Sequence, residues 1–141
     1  MDDIEKEFEE TNNLMHSFID NRNKLGLVYN EFVNRLGNEY YLSQLSNTFL
    51  NAFNTFERFY GMVDDKLKFA NMLNDISLAA LDFFKIKTNE DLGRITLFKK
   101  KKILDKELAA NQEKLNNLLS KLDEINDYIT KSCEKYSKIE G

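Results

Sequence analysis

The chain has no proline, no tryptophan, five glycines, one cysteine and one histidine in 141 residues. Without proline nothing clashes with a helix interior or strips it of a backbone donor. With so little glycine, little else weakens a helix, so long uninterrupted helices are favoured. The lone Cys133 excludes an internal disulfide, and the expected compartment is a reducing one, the cytoplasm. The lone His16, with Asp20 one turn later, has no second histidine beside it and no Glu-x-x-His motif of the di-iron bundles. Neither a metal nor any other cofactor is expected. The glycines are isolated, so no phosphate-cradling loop is present, and Cys133 shows no nucleophile–base pattern. An enzyme is not expected. No apolar run approaches the roughly 18 residues of a membrane span. The opening MDDIEKEFEE is acidic, which argues against a signal or transit peptide and against a basic amphipathic anchor.

What the chain does have is patterned apolarity. Hydrophobic residues make up 42% and charged residues 31%, too apolar and too regular for a disordered chain. The length fits one helical domain over 1–141. Residues 2–36 read as one helix with a heptad seam, Ile4, Phe8, Thr11, Met15, Phe18, Arg22, Leu25, Tyr29, Phe32 and Leu36, and Gly37-Asn38 is the expected stop. Residues 40–85 read as a second helix, with Gly61 inside it and a seam running from Leu42 through Phe49, Phe53, Phe56, Tyr60, Val63 and Leu67 to Phe84. Flanking Leu50, Phe59, Phe69, Leu78, Leu81 and Phe83 widen that stripe enough to face two neighbours. Residues 92–138 read as a third stretch, entered through a kink or break at Lys87 to Gly93. Its seam includes Lys101, Leu104, Leu108, Leu115, Leu118, Leu122, Ile125 and Ile129, with Asn111 as a register-fixing polar position. The fold class expected is all-α: long antiparallel helices in an elongated three-helix coiled-coil bundle, pairing as a dimer to bury its stripes.

Charge is unevenly distributed. Residues 1–65 carry net −7, residues 66–108 net +4 and residues 109–141 net −1. A positive, helically patterned segment inside an acidic protein is where an anionic partner is sought. Its centre is Lys99-Lys100-Lys101-Lys102. Four successive helical residues sweep about 300°, so one of them, Lys101, falls on the seam and has to snorkel. The run suits phosphate groups, and it also suits a solvated charge cluster. Nucleic acid is disfavoured by the acidic balance, by the lack of a recognition motif and by aromatics set at core spacing. The carboxylate pairs Asp64-Asp65 and Glu90-Asp91 read as solvated helix surface.

The pattern Met72-Leu73-Asn74-Asp75-Ile76, Leu81-Asp82-Phe83-Phe84-Lys85, Asn89-Glu90-Asp91-Leu92-Gly93-Arg94-Ile95, Phe98-Lys99-Lys100 and Leu104-Asp105-Lys106-Glu107-Leu108 resembles the second helix of BAR domains. The likeness is to the endophilin, arfaptin and Arf-GAP-associated types. Leu36-Gly37-Asn38 and Leu45-Ser46-Asn47-Thr48-Phe49-Leu50 resemble the part of that family where the first helix packs in the dimer core. The resemblance covers about residues 30–120. Ala79-Ala80 stand where endophilin-like members often carry proline, and residues 109–141 leave a short third helix. The resemblance implies an antiparallel homodimer whose basic concave face binds anionic membrane. The matching bases are Lys85, Lys87, Arg94, Lys99, Lys100, Lys101 and Lys102. It also implies a peripheral membrane protein of membrane trafficking. The other reading is a helical-bundle adaptor or tether that binds a protein partner through its heptad faces, with the acidic first helix as a docking face.

Overall fold

Asp2 starts the first helix, α1 (Asp3–Leu36): its side-chain oxygen accepts the Glu5 N–H at 2.8 Å, with Asp3 and Glu5 in the first turn, where the helix dipole favours anions. At 34 residues α1 is about 51 Å long. It stops at Gly37, whose φ of 92° and ψ of 159° belong to a region essentially restricted to glycine. Ser43 Oγ donates to the Gly37 carbonyl at 2.9 Å and fastens the turn to the next helix. Both the helix expected over 2–36 and its stop are found. The computed structural model describes residues 2–84 and 97–140, with backbone alone for 97–101, 103–104 and 135–140.

Among the described residues there are five α-helices, a single 3-10 turn and no strand. After α1 come α2 (Tyr41–Phe59), the turn Tyr60–Met62, α3 (Lys66–Phe84), α4 (Leu97–Ala110) and α5 (Gln112–Glu140). The helix expected over 40–85 is therefore two helices. The chain tightens at Gly61, extends at Val63 (φ −83°, ψ 150°) and restarts on Asp65, whose carboxylate accepts the Lys68 N–H at 3.0 Å. Asp65 is thus an N-cap rather than solvated helix surface. Its neighbour Asp64 is exposed. A Cβ on Gly61 would meet nothing within 4 Å, so no close helix approach occurs there.

Asn111 sits between α4 and α5. Its Nδ2 donates to the Glu107 carbonyl at 2.7 Å and its own N–H is shared between the carbonyls of Glu107 and Leu108. Its amide is spent on its own helix, not on pairing across a seam. The turn expected over 87–93 lies outside the described residues.

Contacts across the helices set the topology. Ser43 reaches Gly37 at one end and Arg22 pairs with Glu57 further along, so α1 and α2 are antiparallel, with Phe18 packed on Phe53 at 5.6 Å. Asn21 reaches Ser77 and Phe32 meets Phe84, so α3 runs parallel to α1. Lys114 faces Asp82 and Tyr128 reaches Asp65, so α5 runs back along α3. The seams are buried within this one chain: Phe18, Phe32, Phe49, Phe53, Phe56, Phe69 and Phe84 are almost wholly enclosed. Phe53, Phe49, Phe84 and Phe32 follow one another edge-to-face at 5.7 to 6.3 Å, joining α2, α3 and α1. Each such pair contributes about 0.5–1.5 kcal/mol beyond its buried area. The wide stripe on α3 does face two neighbours. Leu73 and Ser77 are buried with Asn21 of α1 reaching Ser77, while Phe69 stacks on Tyr128 of α5 at 5.8 Å. Two buried polar side chains meet in that interface: Asn21 Nδ2 donates to Ser77 Oγ at 3.0 Å, and also to Asn74 Oδ1 at 3.4 Å.

Candidate functional site

The bundle has two ends. At one end lie the C-terminus of α1, the start of α2 and the helix α4. At the other lie the N-terminus of α1, the 3-10 turn and the start of α3.

The lysine run of the basic stretch belongs to the first end, whereas Lys66 and Lys68 stand at the other, in the first turn of α3. Lys85, Lys87 and Arg94 lie outside the described residues, and Lys99, Lys100 and Lys101 are described by backbone alone. All four lysines of the run are in α4, and Lys102 is exposed. The helical register puts Lys99, Lys102 and Lys106 at i, i+3 and i+7, one face of α4. Lys106 is exposed as well. The side of α4 that includes Asp105 is held to α2. The hydroxyl of Tyr40 donates to Asp105 Oδ1 at 2.8 Å, and that of Tyr41 donates to the same oxygen. Burial pushes the Tyr40 hydroxyl well above the usual tyrosine range, helped by its bonds to Tyr41 and Asp105. Burial also raises Tyr41, and its bond to Asp105 adds to that, while its bond to Tyr40 pulls the other way. Exposed Lys102 and Lys106, with Asp105 tied to Tyr40 and Tyr41, make α4 a cationic helix fixed to the bundle.

The second end carries a feature the sequence did not single out. The first two turns of α1 stand clear of α2 and α3, leaving Ile4 78% and Phe8 69% exposed although both belong to the seam. An open cleft of about 750 Å³ lies between this strip and the start of α3, with Ile4, Phe8, Thr11, Tyr60 and Leu67 along it and Glu7, Asp64, Asp65 and Lys66 at its edge. Burial raises the Tyr60 hydroxyl above its ordinary value. No spacing signal distinguishes Ile4 and Phe8 from core residues. Only the points where α2 ends and α3 begins expose them.

Other candidates take ordinary structural roles. His16 is exposed, and Asp20 pairs with Lys24 at 3.0 Å. Cys133 is half-buried against the core. Among the described residues no group of three or more His, Cys, Asp or Glu could hold a metal ion, and no helix is long and apolar enough to cross a membrane. No family model, curated protein or solved structure matches the chain.

Proposed function

We propose that this chain is a non-enzymatic helical-bundle protein that contacts an anionic membrane surface peripherally through its basic stretch, residues 66–108, as a BAR-like homodimer of membrane trafficking in the cytoplasm. The observation that carries the reading is the register of α4, which aligns Lys99, Lys102 and Lys106 on one face, with Lys102 and Lys106 exposed. Each base near an anionic leaflet contributes about 1 kcal/mol, screened by salt. The test is co-sedimentation with phosphatidylserine-containing and neutral liposomes at low and physiological salt, with the oligomeric state measured by light scattering. The protein is expected to pellet with the acidic liposomes alone. A triple Lys99→Ser, Lys102→Ser, Lys106→Ser variant is expected to lose about tenfold or more in binding while its helicity is unchanged. Equal pelleting of variant and wild type overturns the reading.

A second reading, an adaptor that binds a protein partner through a heptad face, is favoured by the exposure of Ile4 and Phe8 on the seam of α1. The lysine face of α4 and the exposed seam of α1 lie at opposite ends of the bundle.

A further inference from the structure

We infer that the cleft beside the N-terminal turns of α1 receives a basic amphipathic helix from a protein partner; this deepens the adaptor reading and rests on it. The strip Ile4, Phe8, Thr11 continues in register into Met15 and Phe18, which the chain buries itself. It is therefore one side of a helix–helix interface whose other side is not supplied among the described residues. In such an interface an amphipathic helix lays its i, i+4 and i+7 anchors into an apolar groove.

Charge selects the occupant. Helical register places Asp3, Glu7 and Glu10 along one side of the strip and Glu5 and Glu9 along the other, and Asp64 and Asp65 stand across the cleft with one base, Lys66, beside them, so the acidic groups outnumber the bases there. Lys6 is the sole base among the first 21 residues. Two copies of this end repel each other, and so do this end and an anionic membrane. A cationic helix is attracted on both flanks, which accelerates encounter and excludes wrong partners. The chain's own cationic helix, α4, is not free to fill the cleft of a second copy along its inner side. Asp105 is bonded to Tyr40 and Tyr41, and Leu108 packs against the core.

The probe is a fluorescent synthetic peptide of about 18 residues, long enough to form a helix, with leucine at i, i+4, i+7 and i+11 and lysine elsewhere. Matched peptides carry glutamine or glutamate in place of lysine. Binding to the full chain is read by fluorescence anisotropy, beside an Ile4→Ser, Phe8→Ser double variant. Both substituted side chains are exposed, so circular dichroism and the melting temperature are expected to match wild type. The lysine peptide is expected to bind the wild type, to weaken with salt, and to lose about tenfold or more with the variant. The glutamate peptide is expected not to bind. Equal binding of the lysine peptide to variant and wild type overturns the proposal. Glutamine-peptide binding as tight as that of the lysine peptide, and lost in the variant, overturns the choice of a basic helix while the adaptor reading stands. Binding of none of the peptides overturns both. Self-association in light scattering that the double variant abolishes also overturns the proposal, because the occupant is then a second copy.

Discussion

Gly26 and Gly37 are eleven positions apart in sequence but respond to the same substitution with opposite signs. Gly37 ends α1 at φ 92°, where an L side chain is strained even though the space around it is open. Gly37→Ala is expected to destabilise by about 1–3 kcal/mol. Gly26 lies inside α1, and a Cβ there meets nothing within 4 Å. Gly26→Ala is expected to stabilise by about 1 kcal/mol, through helix propensity. Urea midpoints at unchanged slope check both. Equal signs would mean that α1 does not end where the turn places its end.

Tyr40 and Tyr41 yield a pH prediction at the same scale. Their folded hydroxyls hold protons more tightly than an unfolded tyrosine, first through burial and then, for Tyr40, through its bonds to Tyr41 and Asp105 and, for Tyr41, through its bond to Asp105. A group raised on folding stabilises fully below its unfolded value, about pH 10, and that stability is lost as pH rises through the folded value. Below that range a Tyr40→Phe, Tyr41→Phe double variant is expected to melt lower than wild type. The gap is expected to narrow as pH rises from about 9 to about 11. A gap of constant size would show that folding does not hold these hydroxyls protonated above their unfolded value.

At the scale of elements, the legible part of the fold was burial and the illegible part was continuity. From Thr11 to Leu36 the seam of α1 could be read residue by residue, polar members included. Thr11 is buried with its hydroxyl donating to the Glu7 carbonyl at 2.7 Å, and Arg22 is tied to Glu57. The spacing Phe56, Tyr60, Val63, Leu67 runs unbroken in sequence, and all four residues are at least partly buried. Yet the helix ends at Phe59 and a new one begins at Lys66. Apolar periodicity reports which residues face the core, and a chain can turn between two buried residues without disturbing it. The signal of the break was Gly61 followed by Asp65 ahead of an apolar run, a weak propensity site and an N-cap. The candidate sites divide in the same way. The lysine run was visible as charge, whereas Ile4 and Phe8 matched core residues in type and spacing. Their exposure is a property of where two other helices start and stop, which no local pattern encodes.

For the whole molecule, the consequence is polarity along the bundle axis. Phe8 and Leu36, near the two ends of α1, are 28 residues apart, about 42 Å along a helix. This is several Debye lengths at physiological salt, about 8 Å each, so a charge bound at one end is not felt at the other. The lysine face of α4 and the acidic cleft also share no side chain. Two sites so separated are expected to add rather than couple. Protein already bound to acidic liposomes should therefore take up the lysine–leucine peptide with the affinity of free protein, within about twofold. Conversely, the Ile4→Ser, Phe8→Ser variant should pellet with liposomes as wild type does. Anisotropy of the labelled peptide, titrated with protein in the presence and absence of liposomes and corrected for the peptide's own lipid binding, measures the first; co-sedimentation measures the second. Competition between liposome and peptide would place both ligands on one surface and remove the basis for a two-ended tether. Independence would fit a protein whose basic end rests on a membrane while its acidic end holds a partner helix away from it.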